Sequence, residues 1–296
     1  MVTVRVPASS ANMGPGFDCL GVALNMYNTA RFELIDTETE IIIKDGADFI
    51  PKGENNYVYT GFKKVFDCAG KTFTGVRIEL WSDIPVTRGL GSSSSSIVLG
   101  LMGANRILGD VFTKDELLDM AYEIEGHPDN VAASIMGGFT VSVPDSGKVV
   151  YTKTDVSSDI CFAAMIPDFY FQTKKSRGIL PAAVSFKCAS FNLSHSALVA
   201  SAFAKGDYSL LKVAVKDRMH QHLRFGRIRS GEYIMRILKR NGAICSYLSG
   251  AGPTVMAIVD KDFEKFEQKM NYVIKTNLKN WRLVILKADN EGAVYI

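Results

Sequence analysis

Apolar and polar residues alternate over Val2–Val6, the two-residue period of a half-buried strand, and Ala30–Ile35, Ile41–Ile43 and Val76–Trp81 look like further strands. Asn56–Ala69 instead carries apolar residues at helical spacing and stops at Gly70, which predicts a helix. Ile97–Leu108 is apolar with small residues and predicts a buried helix. Thr113 followed by Glu116 is a capping-box signature for a helix reaching about Glu125, and Gly137-Gly138 ends the short helix after it. Phe139–Val143 and Ile160–Ile166 predict strands. Asn192–Arg240 predicts three helices broken near Gly206 and Gly226. Ile244–Leu248 and Thr254–Val259 predict strands flanking a glycine loop, followed by a helix over Phe263–Ile274 and a strand over Trp281–Leu286. Strands dominate early and helices late, with no Pro/Gly-rich linker between. Two lobes that share an interface, 1–155 and 156–296, are the expected division.

Composition narrows this only slightly. Of 296 residues, 47% are hydrophobic and 22% charged, which excludes a disordered chain. The net charge is +3, and the nearest approach to a basic stripe is Arg224, Arg227 and Arg229, too short to suggest nucleic acid as a partner. Five scattered cysteines form no C-x-x-C pair, which fits a reducing compartment. The N-terminus lacks the pattern of a signal peptide, and no apolar run approaches the ~18 residues that span a bilayer. A soluble cytoplasmic protein with no membrane partner is expected. A homodimer is compatible with this, with no interface assigned.

Candidate chemistry concentrates in loops. Pro85-Val-Thr-Arg-Gly-Leu-Gly-Ser-Ser-Ser-Ser-Ser96 runs into the buried helix. Glycines let a backbone approach a ligand closely, and a helix start offers free N–H groups and the positive end of a dipole, so polyphosphate suits it. A flexible linker would not lead straight into a buried helix. No Lys follows the glycines as in a Walker A loop, and the third Gly of a dinucleotide fingerprint is missing. Pro7–Asp18 holds an Asn and an Asp on a turn rich in Pro and Gly, and a long turn with an Asx motif accounts for it equally well. Ser249-Gly-Ala-Gly-Pro-Thr254 is by default a hairpin turn, or else a backbone wall beside a ligand. Glu125-Gly-His-Pro-Asp-Asn130 sets two carboxylates about an imidazole at a helix end. A capped helix junction, with Asp129 as N-cap, explains it in isolation. His220 and His222 diverge on a helix and cannot chelate together there.

In order along the chain, Asn-Met-Gly-Pro-Gly-Phe-Asp, Pro-Val-Thr-Arg-Gly-Leu-Gly-Ser-Ser, Glu-Gly-His-Pro-Asp-Asn-Val and Ser-Gly-Ala-Gly-Pro-Thr resemble the GHMP small-molecule kinases over nearly the whole chain. Pro7–Asp18, Glu125–Val131, and Thr173-x-x-x-Arg177 with Leu180-Pro181 are similar to the homoserine kinase family within them. The resemblance implies an α+β, two-lobed GHMP kinase fold, with a ribosomal-S5-like N-terminal domain and a ferredoxin-like C-terminal domain. It implies transfer of the ATP γ-phosphoryl to the side-chain hydroxyl of L-homoserine, a threonine precursor route. Another kinase of the group, acting on a mevalonate-like alcohol, and a non-catalytic nucleotide-binding relative are the alternatives.

By the same resemblance Pro85, Val86, Thr87, Arg88, Gly89, Leu90, Gly91, Ser92, Ser93, Ser94 and Ser95 bind ATP, with Gly89–Ser95 as the phosphate cradle. Ser92 and Glu125 hold Mg²⁺, Glu125 being preferred to Glu123. Asn12 and Asp18 suit the substrate ammonium, and Arg177 and Arg224 its carboxylate, which guanidinium binds bidentately. Thr173 and Gly250 complete the substrate site. Arg88 is expected to neutralise charge on the phosphates. Asp129 is a catalytic and substrate-site candidate, its role as base left open. Ser94 stands where the family commonly has Ala, and Arg224 lies in Met-His-Gln-His-Leu-Arg, a partial match to His-x-Pro-Tyr-Arg. Gly91→Val is expected to impair nucleotide binding because a Cβ would intrude on the phosphates.

Overall fold

The computed structural model describes residues 1–46, 50–169 and 176–296. Two sheets form its frame. The larger joins β1 (Val2–Ala11), β2 (Leu20–Ile35), β3 (Glu40–Asp45), β4 (Gly75–Ser82), β5 (Phe139–Asp145), β6 (Lys148–Thr154) and β11 (Val294–Tyr295). Its central path is β11-β1-β2-β4-β3, with β5 pairing the start of β2 and β6 pairing β5. Only β3 and β4 run parallel, connected through α1 (Tyr57–Cys68). The smaller sheet is antiparallel in the order β10-β7-β9-β8, from β7 (Ile160–Pro167), β8 (Cys245–Leu248), β9 (Val255–Asp260) and β10 (Trp281–Leu286).

Helices cover these sheets. α2 (Ser92–Ile107), α3 (Lys114–Glu125) and α4 (Pro128–Met136) join α1 over the first, in a core that includes Val4, Phe32, Phe62, Leu99 and Ile135. α5 (Phe186–Lys205) brings Val199 and Phe203 into a second core with Val22, Phe139, Phe162 and Met256, which joins the two sheets. α8 (Gly231–Arg240) and α9 (Glu264–Asn277) close a third core over the outer face of the smaller sheet. Between α5 and α8 lie a 3-10 turn (Tyr208–Leu210) and two short helices, α6 (Leu211–Ala214) and α7 (Gln221–Phe225).

Several elements depart from the sequence pattern. β1 continues to Ala11 because Ala8, Ser9, Ser10 and Ala11 are all buried; a strand covered on both faces loses its alternation. The serine run is the first turn of α2, not a loop preceding it. Its hydroxyls fold back onto the helix, Ser95 and Ser96 both donating to the Ser92 carbonyl. The capping box at Thr113/Glu116 is present as expected. Asp129 is not an N-cap: His127 occupies that position and Pro128 begins α4. The edge strands β6 and β11 lie outside the expected elements: β6 turns one face to solvent, and β11 is only two residues long.

Candidate active site

One cleft of about 220 Å³ gathers the ends of β1 and β4, the start of α1, the loop into α2, the α3–α4 junction, Arg177, Arg224 and the β8–β9 connection. One end of it is main chain. Gly91 takes φ +70° as the N-cap of α2, so the first N–H groups of that helix, which have no partners within it, open toward the cleft. The loop is fixed from behind. Ser9 N–H donates to the Leu90 carbonyl, Thr254 N–H to that of Arg88, and the Ser249 hydroxyl to that of Gly89 at 2.5 Å. A Cβ on Gly91 would lie 2.1 Å from Ser9 Oγ, so glycine is required by the packing behind the loop as well as by its φ; the expected clash with the phosphates is not the first one met.

Glu125 faces this helix start. Its two carboxylate oxygens accept from the hydroxyls of Ser93 (2.6 Å) and Ser94 (3.0 Å). Glu123 points elsewhere, paired with Lys64 near the surface. Ser92 lines the cleft beside them. His127 stands between two carboxylates, with Nδ1 3.1 Å from Asp129 Oδ1 and Nε2 3.9 Å from Glu125. Burial pulls this imidazole down, but the hydrogen bond and charge of Asp129, with Glu125 behind, outweigh it and hold the group above its ordinary value. Asp129 is 2% exposed. Its Oδ1 also accepts from the Asn130 N–H.

The opposite end is built of side chains. Asn12 and Asp18 adopt positive φ (66° and 54°), a strained backbone for non-glycine residues. Asn12 closes its own loop and ties it to the β8–β9 connection: Oδ1 accepts from the Asp18 N–H and Nδ2 donates to the Gly250 carbonyl. Arg177 forks onto both oxygens of Asp18 at 3.0 and 2.5 Å. Arg224, 2% exposed, donates Nη1 to Gly250 O and to His220 Nδ1, while its Nε finds no partner. His220 in turn donates Nε2–H to the Gly14 carbonyl. Burial, then the nearby Arg177 charge, pushes the Arg224 guanidinium down to about 10.

Other expected positions fall differently. Val86, Thr87, Gly89, Gly91 and Ser92–Ser94 line the cleft. Leu90 and Ser95 are sealed, Ser95 Oγ accepting from Asn28, so their side chains pack beneath the loop. Pro85 lies on a neighbouring groove. The Arg88 guanidinium donates to the carbonyls of Val86, Pro167 and Asp168, which binds the loop to the end of β7. Thr173 lies outside the described residues. The sequence pattern missed the apolar wall of Pro51, Tyr57, Val58, Leu80 and Trp81; only its aromatic content could have suggested a slot for a planar ring. Among the described residues, no three His, Cys, Asp or Glu side chains form a metal cluster. An oxygen-only set, Ser92 with Glu125, fits Mg²⁺, which takes few protein ligands and completes its shell with phosphates and water.

Two α+β lobes about a cleft that carries a helix start and a carboxylate have the arrangement of a small-molecule kinase. The GHMP kinases N terminal domain matches residues 56–138, and the GHMP kinases C terminal domain matches residues 199–275. Homoserine kinase of Clostridium beijerinckii is 45% identical over 302 residues, covering 100% of this chain and 99% of the relative. That of Clostridium botulinum (strain ATCC 19397 / Type A) is 44% identical over 294 residues, with 99% and 98% covered. The crystal structure of homoserine kinase from Cytophaga hutchinsonii superposes with a TM-score of 0.89 at 26% identity, covering 100% and 97%. The chain belongs to the homoserine kinase family of the GHMP kinases, and it is a phosphotransferase enzyme.

Proposed function

We propose that this cleft phosphorylates the side-chain hydroxyl of L-homoserine with ATP, giving O-phospho-L-homoserine on the way to threonine. The observation that carries it is Arg224, a buried guanidinium with an unpartnered Nε and no carboxylate bound to it among the described residues, opening on the same cleft as the phosphate loop. A buried cation without a counter-ion awaits one from the ligand. Phosphoryl transfer asks a protein mainly for positioning and for charge neutralisation. The N–H groups at the start of α2 supply donors to the polyphosphate, and the apolar wall by Trp81 suits the nucleobase. Ser92 and Glu125 would hold Mg²⁺, which when bound neutralises charge on the phosphate oxygens. Arg224 takes the substrate carboxylate with Arg177 beside it, while Asp18 offers its charge to the ammonium and Asn12 keeps Asp18 and Gly250 in register.

Asp129 faces the acceptor hydroxyl. Its Oδ1 is held by Asn130 and His127, which leaves Oδ2 as the oxygen able to accept a hydrogen bond from the attacking O–H. Arg88 acts by anchoring the loop. Division of the chain at 155/156 is supported by the change of sheet between β6 and β7. A cytoplasmic place of work is supported by five free thiols. No helix among the described residues is long and apolar enough to cross a membrane. An ADP-release assay offering homoserine, mevalonate, galactose and 4-diphosphocytidyl-methylerythritol tests the proposal. Turnover is expected with homoserine, and preference for another alcohol would overturn it.

A further inference from the structure

Phe17 sits between Asp18 and the buried loop that carries Asn12, yet the roles assigned above leave it unused. Its ring centroid lies 5.4 Å from the Arg177 guanidinium carbon and 5.4 Å from that of Arg224. The same ring tilts at 51° against His220, 5.3 Å away, and His220 is the residue whose Nδ1 accepts from Arg224. One aromatic ring therefore touches both cations and the imidazole that orients one of them. The two guanidinium groups repel each other, and among the described residues only Arg177 of the two is ion-paired directly to a carboxylate. An aromatic face is the apolar surface that also attracts a cation, through its quadrupole. An aliphatic residue of the same bulk would fill the space and supply none of that attraction.

We propose that Phe17 is a positioning residue for substrate carboxylate recognition, its ring holding Arg177 and Arg224 in the spacing that a carboxylate bridges. This rests on the assignment of the arginine pair to the homoserine carboxylate. Recognition at the hydroxyl end does not pass through the ring, and the ammonium end meets it only through the Asp18–Arg177 pair, so the effect of losing it must fall mainly on a substrate that has a carboxylate.

The experiment compares L-homoserine with 2-amino-1,4-butanediol, in which a hydroxymethyl group replaces the carboxylate, in the full-length enzyme with ATP. Phe17→Leu is expected to lower kcat/KM for homoserine about tenfold, through KM, and to change that for the diol by less than about twofold. Phe17→Trp, with a stronger quadrupole, is expected to keep the wild-type ratio between the two. A loosened Asp18 or a weakened fold would lower both substrates together. A parallel fall of both, or no fall in either, therefore overturns the proposal. Phe17→Met is measured alongside so that poor folding of one aliphatic variant leaves the other to decide. Arg224→Met separates the two levels. If it leaves the wild-type preference for homoserine over the diol intact, the arginine assignment itself fails; if it abolishes the preference while Phe17→Leu does not, only the role of Phe17 fails.

Discussion

The two ends of the cleft are made in opposite ways. At the phosphate end, one contiguous stretch from Thr87 to Ser94 presents backbone N–H groups, and its hydroxyls serve mainly to hold the turn and Glu125. At the opposite end, proposed to take the amino acid, Asn12 and Asp18 share one loop while Arg177, Arg224 and Gly250 come from three others; Gly250 O accepts from both Asn12 and Arg224, and Arg177 pairs with Asp18. Main-chain donors exist in any sequence that can adopt the turn, so the first end depends on backbone conformation. The second depends on charge and on the packing of distant parts. Damage should therefore appear as lost nucleotide binding at one end and as lost discrimination at the other.

The largest effect is expected from Gly91→Val. A β-branched residue is disfavoured at φ +70°, and its Cβ would strike Ser9 Oγ, the hydroxyl that donates to Asn130 beside Asp129. ATP affinity should fall by about 100-fold or more, with a lower Tm, because strain and an overpacked contact together cost on the order of 3 kcal/mol or more. Calorimetric titration with ATP checks this. Binding close to wild type would mean that the cradle is not set by Gly91.

Arg224→Met comes next and should act in two directions. KM for homoserine should rise by about 10- to 100-fold, the worth of a charge-assisted hydrogen-bonded contact, with KM for ATP nearly unchanged. The ligand-free protein should keep or gain thermal stability, because a buried guanidinium with an orphan Nε is replaced by an apolar chain. A clear fall in Tm would show that the arginine is there to support the fold. Arg177→Ala should be milder, about tenfold in KM for homoserine and less than about twofold for ATP. Its side chain is 38% exposed, so water can replace its pairing with Asp18. Equal changes in both KM values would place Arg177 at the phosphates instead.

The same contrast explains what could be read from the residues alone. The loop into α2 is contiguous, so its glycines and serines suggest an anion site from the residues alone, although the start of α2 at Ser92 is concealed by a run that reads as loop. The helix cap at Thr113 and the stop at Gly137 rest on short-range chemistry and were equally legible. The residues alone leave the segment around Asp18 balanced between turn and site, because its partner Arg177 is 159 residues away, and they favour a capped helix junction around Asp129, whose partners His127 and Asn130 are neighbours. Likeness to a known family, not periodicity, brought those segments together. Arg88, which that likeness assigns to the phosphates, lines the cleft and also donates to the carbonyls of Pro167 and Asp168, a contact made only when the second sheet packs against the loop. The apolar wall around Trp81 is invisible in the residues because Leu80 and Trp81 look like ordinary strand residues until the cleft forms beside them.

The smallest effect probes the one place at the phosphate end where side-chain charge matters. His127 lies beside Asp129 and Glu125, and their pull, stronger than the opposing cost of burial, raises its folded-state pKa above the ordinary ~6.5 of an unfolded histidine. A group raised on folding binds its proton more tightly in the native state. Its contribution to stability is complete below ~6.5 and is lost as pH climbs through the folded value. Replacing it with a neutral donor, His127→Gln, should lower Tm by about 1 to 3 °C at pH 6, and the gap from wild type should narrow as pH rises toward 8. Thermal melts of both proteins across that range decide it. A gap that stays constant or widens with pH would mean that the imidazole is neutral, bonded to Asp129 through Nδ1–H alone, and that even here the phosphate end relies on hydrogen-bond geometry instead of charge.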